Sequence, residues 1–341
     1  MWPARPMRLA LTPGAVRLIA ACVLGLIACR AVPLGPPAAT ISPPTPTSAP
    51  TLAPTATTAT GPTPLAADAA ALQAVVASLQ QAVLDRDRAA YWAYVDETDA
   101  VFALEHARWA DDWSRAPLLA DYALKLDAVS FSGDTATGTL TVSWRTLAED
   151  ETRLANFPVR FTRAASGRWR YAGELWIDVE AEHFLVRAQP GLASAAGTVR
   201  AALPAVHAHV TRSLEYTPAG RLQIKLYGTV EALVANTLLS LPPIHGWNEP
   251  GEALKLYAGP GAAPDAILAH EFTHFIEFDQ AGTARSRMPW WLSEGLAVYV
   301  AQDYAPDPAQ AAQIDLVAQW SDEGDLAAWE TLSVFETTPP E

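Results

Sequence analysis

Residues 266–276 constrain the fold of this 341-residue chain more than any other part of its sequence. They place His270 and His274 four residues apart, with Glu271 between them. On a helix both histidines lie on one face, with Cβ atoms about 5–6 Å apart, so both imidazoles can reach one ion. Pro264 suits the first turn of such a helix. Apolar side chains give the helix a surface to bury: Leu268, Phe272, Phe275 and Phe278.

This arrangement predicts a zinc site with a neighbouring base. Zinc binds neutral imidazole nitrogen at about 2.0–2.1 Å. Zinc also lowers the pKa of a water that it binds, and a nearby carboxylate can accept the proton. We therefore expect His270 and His274 to bind the metal and Glu271 to act as general base. The alternative is a chance occurrence of the pattern on an ordinary amphipathic helix.

A catalytic zinc site needs a third protein ligand, for which Glu294 is the candidate. Glu277 and Gln280 stand where the metzincin pattern requires Gly and His, so that class is excluded. Nineteen residues separate His274 from Glu294, which lies in the segment Trp-Trp-Leu-Ser-Glu-Gly at 290–295. Taken alone, Glu294 would also suit the start of a helix, where the helix dipole favours a carboxylate.

These two motifs and their spacing resemble the gluzincin metallopeptidases over residues 183–304. In that family a Glu in a Trp-Leu-x-Glu-Gly-type segment supplies the third zinc ligand. The resemblance implies a thermolysin-like fold, with a small sheet packed on the active-site helix. It also implies one zinc ion held by His270, His274 and Glu294. Glu271 would then return its proton to the leaving amine of a peptide.

The resemblance also implies how a substrate binds, and one residue of the family is missing here. A strand at residues 254–258 would form the sheet edge along which an extended peptide lies. The family's Tyr or His that stabilises the oxyanion has no counterpart at the usual distance, which leaves Tyr299 and Tyr304 as candidates. The Gly-Ala-Met-Glu-Asn signature of the aminopeptidase branch is absent, which favours an endopeptidase. The rival hypothesis is a non-catalytic zinc-binding or assembly lipoprotein with a degenerate peptidase fold.

The beginning of the chain predicts export. Residues 1–28 contain three Arg and no acid, and an apolar run at 18–28 is too short to span a bilayer. The run ends Leu-Ile-Ala before Cys29, which resembles a bacterial lipobox with Cys29 as the lipidated residue. A similar run ends at Cys22 but would leave a stunted apolar stretch. An uncleaved anchor and an ordinary secretory signal are the alternatives. We expect a bacterial lipoprotein at the cell surface or the periplasmic face of a membrane.

Residues 29–67 predict a tether. Residues 31–67 carry no charge, and Pro and Thr recur without a period or an apolar face. The formal charge of the chain is −14, and loss of the three Arg of the signal makes it −17. So acidic a chain excludes the basic surface that nucleic-acid binding needs. The expected partners are a peptide or protein substrate and, through the lipid, a membrane.

Residues 68–182 predict an α+β unit, because helical spacing is followed by alternating strands. The order of elements resembles the cone fold of nuclear-transport-factor-2-like domains. His106, Asp111 and Asp112 are interpreted as solvated helix residues without a catalytic role. A further alternative is that this cone binds a small ligand and that the second unit is its structural partner.

Residues 183–341 predict the metallopeptidase-like unit. Alternating apolar residues predict strands near 184–186, 222–227 and 254–257. Helical spacing over 192–214 predicts a long helix that Pro204 should kink or split. The predicted fold class of the whole chain is therefore α+β.

Overall fold

The computed structural model describes residues 64–282 and 288–324, which form an α+β structure with two sheets. The predicted α+β fold class is confirmed at this level. The signal peptide (1–28), the lipidation site Cys29 and most of the predicted tether lie outside the described residues.

The first unit consists of three helices followed by four antiparallel strands in the order β1-β2-β3-β4. Its elements are α1 (Pro64–Leu84), α2 (Arg88–Trp92), α3 (Ala100–Ser114), β1 (Leu119–Ser132), β2 (Thr135–Thr146), β3 (Arg153–Arg163) and β4 (Trp169–Glu174). The predicted end of the tether at residue 67 is wrong, because α1 already begins at Pro64. Gly133 and Gly167 lie in the connections between β1 and β2 and between β3 and β4, and both have the positive φ that a tight turn requires.

Helix α1 contains a stretch, Ala66–Leu84, that is long and apolar enough to cross a membrane by length and composition. Its apolar side chains recur at helical spacing, and Leu72, Val76 and Leu79 are buried in the hydrophobic core of the first unit. About 33% of this stretch is buried, and that face of α1 packs on the sheet, chiefly against β1.

The interior of the first unit is almost filled. Between the helices and the sheet lies a cavity of about 30 Å³, lined largely by aromatic and aliphatic side chains. A cavity of that size holds about one water molecule. The alternative of a small-ligand pocket inside this unit therefore has no support in the cavity volume.

The interpretation of His106 as a solvated residue is wrong. Its ring is buried on the inner face of α3, and the Tyr91 hydroxyl lies 3.1 Å from its Nδ1. Burial, the largest cause, and two nearby lysines hold the pKa of His106 well below its usual value, so the ring is neutral. Asp111 and Asp112 are half-buried; Asp111 pairs with arginines and Asp112 accepts a hydrogen bond from the Ser240 hydroxyl.

The second unit surrounds a five-stranded mixed sheet with the order β5-β6-β7-β9-β8. Its elements are β5 (Ile177–Glu180), β6 (Phe184–Ala188), α4 (Ala193–Ser213), β7 (Leu222–Tyr227), α5 (Val230–Ala235), β8 (Gly246–Trp247), β9 (Leu254–Tyr257), α6 (Pro264–Ala281), α7 (Trp290–Tyr304) and α8 (Pro308–Glu323). Strands β6, β7 and β9 are parallel, and the outer strands β5 and β8 run antiparallel to them.

This sheet corrects three predictions. The unit boundary at 182/183 is too late, because β5 begins at Ile177 and pairs with β6. Helix α4 runs through Pro204, so of the predicted kink or split the split is wrong. The expected peptide-binding edge at residues 254–258 is wrong, because β9 has β7 on one side and β8 on the other. Among the described strands, β8 forms that edge.

The two faces of the second sheet have different partners. Alternate side chains of β7 and β9, such as Ile224 and Leu256, pack against α4 and α6. The opposite face carries Tyr227, which belongs to the core of the first unit. Two tryptophans of the first unit also donate hydrogen bonds to main-chain carbonyls of the second: Trp109 to Ala235 (3.0 Å) and Trp144 to Leu239 (3.2 Å). The core of the first unit therefore extends into the second unit, whose other core residues form a separate cluster on the far face of the sheet.

A buried group of charges lies between the two units. The carboxylate of Glu105 on α3 accepts a hydrogen bond from Nζ of Lys225 on β7 at 2.5 Å, and Nζ of Lys255 on β9 lies 3.8 Å from its other oxygen. Lys255 also pairs with Glu252 at 3.1 Å, and Glu252 pairs with Arg108 of α3 at 2.7 Å. All but Arg108 are at least nine-tenths buried, so each charge depends on its neighbours.

Replacing Glu105 with Gln should lower the free energy of unfolding by about 3–5 kcal/mol at pH 7, because Lys225 would stay buried without its counter-charge. Burial raises the pKa of Glu105, but Lys225 and Lys255 outweigh it and lower that pKa overall. The stabilisation is therefore present above the ordinary carboxyl pKa and is lost as the pH falls through the lowered one. Urea unfolding followed by tryptophan fluorescence measures the difference.

The matched control is Glu97→Gln, which removes the same charge at an exposed position and should change stability by less than about 0.5 kcal/mol. Equal stability of the Glu105→Gln variant and the unchanged protein would contradict this account of the buried charges.

Candidate metal centre

Helix α6 positions three of the four predicted site residues. It begins with Pro264 at its first turn and Asp265 beside it, where the dipole favours an acid. It ends before Gly282, which has a positive φ. At about 100° per residue, its buried residues Leu268, Phe272 and Ile276 form one face against the sheet, and the two histidines lie on a second face.

Helix α7 supplies the fourth residue. It begins at Trp290 after Pro289 and packs along α6, with Ala297, Val300 and Ala301 buried. Glu294 is its fifth residue, one turn in from the beginning, so it is not a carboxylate at the helix start. The packing of the two helices brings Glu294 to the histidine face of α6.

The three predicted ligands converge on one point. His270 Nε2 and His274 Nε2 are 3.1 Å apart. The oxygens of Glu294 lie 3.5 Å from His270 Nε2 and 3.4 Å from His274 Nε2. These two distances involve different oxygens, Oε2 for His270 and Oε1 for His274, and one ligand atom from each of the three residues lies within 4.8 Å of the others. Ligands at about 2.05 Å from a tetrahedral ion are about 3.4 Å from one another, so this cluster could hold a metal ion after small side-chain adjustments.

The electrostatics of these residues favour a positive charge between them. Burial alone would lower the pKa of His274, but hydrogen bonds with Glu277 and Glu294 outweigh it and raise that pKa to about 10. Burial would raise the pKa of Glu294, but hydrogen bonds with His270 and His274 hold it well below its usual range. A metal ion bound here would replace the proton on the imidazoles and leave the carboxylate ionised.

The predicted base, Glu271, lies beside the ligands and against the edge strand. It is 6% exposed, and burial raises its pKa, partly offset by His270 and His274. A Cβ atom on Gly246 of β8 would lie 2.3 Å from Glu271 Oε1 and 2.7 Å from the Ile267 side chain. At position 246, only glycine therefore leaves the Glu271 carboxylate in its present position.

The structure does not bring the two predicted oxyanion residues to this cluster. Tyr299 follows Glu294 by five residues, which turns it about 140° around α7, and its side chain is exposed. Tyr304 lies about 15 Å further along the helix axis than Glu294, with its ring against His209 of α4.

Three residues near the site were not predicted from the sequence as partners of the metal ligands or the base. Glu277 Oε2 lies 3.2 Å from His274 Nδ1, and Ser293 donates a hydrogen bond to the same oxygen at 2.6 Å. The spacing of three residues between His274 and Glu277 was a usable signal, because such residues are neighbours on a helix. Ser293 and Gly246 had no such signal, since both depend on tertiary packing.

Comparisons with known proteins add little to this geometry. The chain matches no protein-family model, and no curated protein matches it in sequence. One solved structure that it matches is the solution structure of a SEC-C motif containing protein from Rhodopseudomonas palustris. The match has 16% identity and a TM-score of 0.24, over 29% of this chain and 72% of that one. A likeness at this level supports no statement about fold or function.

We expect the protein to bind one zinc ion per chain, because His270, His274 and Glu294 each bring a ligand atom within 4.8 Å of the others. Zinc at 100 times its dissociation constant should raise the free energy of unfolding by about 2.7 kcal/mol. His274→Ala and Glu294→Gln should abolish this stabilisation. Metal analysis after dialysis and titration calorimetry measure the stoichiometry and the affinity.

Asp303→Asn is the control on the same helix, since Asp303 is exposed and distant from the ligands. Full zinc stabilisation in the Glu294→Gln variant would contradict the assignment of the third ligand.

Proposed function

We propose that this protein is a zinc-dependent peptidase, acting within chains as an endopeptidase. The observation that carries the proposal is the convergence of His270, His274 and Glu294 on one point, with the Glu271 carboxylate beside them. Two imidazoles, one carboxylate ligand and an adjacent base form the residue set of metal-assisted hydrolysis.

Each residue of the site would have a separate role in hydrolysis. A zinc ion held here would act as a Lewis acid towards a peptide carbonyl and a water molecule. Glu271 would accept a proton from that water, which its raised pKa suits, and would then donate the proton to the leaving amine. His270 and Glu294 are partly exposed whereas His274 is buried, so the substrate would approach from the side of His270 and Glu294.

Strand β8 would hold the substrate backbone. The N–H of Tyr257 donates to the carbonyl of His245 at 2.8 Å, so these two residues form a hydrogen-bonded antiparallel pair. Such pairs alternate along a ladder, so Gly246, opposite Leu256, directs its own N–H and C=O away from β9. An extended peptide could pair with these groups directly beside Glu271, which suits cleavage without a strict sequence requirement.

The finer fold and the location of the protein belong to the same proposal. The mixed sheet with α6 on one face supports a thermolysin-like second unit, and three helices followed by a four-stranded antiparallel meander support a nuclear-transport-factor-2-like first unit. With lipidation at Cys29, the protein would be a bacterial lipoprotein that faces the cell surface or the periplasm.

One observation favours the second candidate, a zinc-binding or assembly protein without peptidase activity. Neither Tyr299 nor Tyr304 reaches the cluster, so no oxyanion donor is assigned among the described residues. Such a protein would bind zinc and leave unfolded proteins intact.

Glu271→Gln should retain zinc and lose peptide hydrolysis by about 10²–10⁴-fold, because the amide cannot accept the proton of the water. Hydrolysis of quenched-fluorescence peptides and of an unfolded protein, with and without a chelator, measures the activity. Undiminished turnover in the variant, or turnover that survives chelation, would refute the peptidase proposal.

Gly246→Ala should also retain zinc but reduce hydrolysis by about 10²-fold, because the new methyl group displaces the Glu271 carboxylate. Gly197→Ala is the control, since a Cβ there meets no atom within 4 Å. The same assay serves for both variants, and full activity of Gly246→Ala would disprove the close approach of β8 to the base.

A further inference from the structure

We propose that Glu277 and Ser293 form a positioning pair that fixes the His274 ring and the third ligand together. Glu277 lies on α6 close to one turn after His274, and its side chain is 3% exposed. Its Oε2 atom lies 3.2 Å from His274 Nδ1. The Ser293 hydroxyl, at the start of α7, donates to the same oxygen at 2.6 Å and also lies 3.2 Å from His274 Nδ1.

The first consequence is the choice of tautomer. Glu277 Oε2 accepts the hydroxyl proton of Ser293, so its contact with His274 Nδ1 is a hydrogen bond when the ring carries its proton on Nδ1. In the neutral ring the lone pair then belongs to Nε2. Nε2 is the atom that lies 3.1 Å from His270 Nε2 and 3.4 Å from Glu294 Oε1. The pair therefore turns the free lone pair of His274 towards the point where the three ligands converge.

The second consequence is a link between the two helices. Ser293 has one hydroxyl proton, and donating it to Glu277 ties the beginning of α7 to α6. Glu294 is the next residue in the chain, so this single bond also limits where its carboxylate can lie. One carboxylate thereby sets the orientation of the second ligand and the placement of the third.

A purely structural role does not explain a carboxylate at this position. Glu277 is buried, and its Oε1 atom has no hydrogen-bond partner among the described residues. Burying a carboxyl oxygen without a hydrogen-bond partner is costly, and an apolar side chain of similar size would fill the space at lower cost. The cost is offset if the carboxylate orients and polarises an imidazole that binds a cation.

The inference depends on the metal site in the proposed function but not on peptide cleavage. Its test is the zinc dissociation constant, measured by competition with a chelator, together with the visible absorption of the cobalt-loaded protein. Glu277→Gln keeps the volume of the side chain and removes its charge. Ser293→Ala removes the link, and Ser293→Thr restores a hydroxyl. Asp279→Asn is the control, because Asp279 lies on the same helix and bonds only the Tyr216 hydroxyl in the described structure.

Glu277→Gln should weaken zinc binding by about 10- to 100-fold and shift the cobalt bands, since the ring is held less firmly. Ser293→Ala should weaken binding by a smaller factor, Ser293→Thr should recover most of the loss, and Asp279→Asn should match the unchanged protein. Thermal unfolding of the metal-free variants shows whether each one is folded.

The outcomes separate the two proposals. Unchanged zinc affinity and cobalt spectra in folded Glu277→Gln and Ser293→Ala would overturn the positioning pair, even if the protein cleaves peptides. Weakened zinc binding in a protein that cleaves nothing would support the pair and refute the peptidase. If the protein without substitutions binds no zinc, both the positioning pair and the peptidase proposal are overturned.

Discussion

The carboxylate of Glu105 is the constraint on which the arrangement of the two units depends. Strands β7 and β9 direct Lys225 and Lys255 to the face of the sheet that the first unit covers, and both side chains are 1% exposed. Two buried positive charges require a negative partner within reach, because isolated ions in a protein interior lose far more hydration than packing can return. Glu105 comes from α3 of the first unit, so without that unit Lys225 in the sheet of the second unit would lose the carboxylate with which it pairs.

The same sheet then fixes the candidate metal centre on its other face. Ile224 and Leu226 alternate with Lys225 along β7 and pack towards α4 and α6. A displacement of β7 or β9 would therefore disturb the lysines on one side and the metal helix on the other. The first unit therefore supports the site by packing on the opposite face of the sheet, and none of the three candidate ligands belongs to it.

The sequence allowed prediction of features that depend on local periodicity. The spacing of His270 and His274, the long helix over 192–214, the alternating strands of the first unit and the strands near 184–186, 222–227 and 254–257 follow from patterns within one element, and the structure has them. The sequence did not allow prediction of features that depend on tertiary contacts between elements. Lys225 and His106 are polar residues in amphipathic elements, and only the packing of the units buries them. Likewise, no local pattern shows that β8 returns along β9 and takes the edge position.

Two groups of acids, all buried except the partly exposed Glu294, lie on opposite faces of the second sheet, and their charges are balanced differently. Glu105 and Glu252 pair with lysines and an arginine of the chain itself. Around α6, Glu277 and Glu294 have only imidazoles within ion-pair distance in the part of the chain that the structure describes. Imidazoles that bind a metal are neutral. In the metal-bound protein, the three carboxylates of Glu271, Glu277 and Glu294 would therefore have no cationic side chain beside them. The charges of the first group are paired within the chain and stabilise the fold. The negative charges of the second group are best neutralised by a divalent cation from solution.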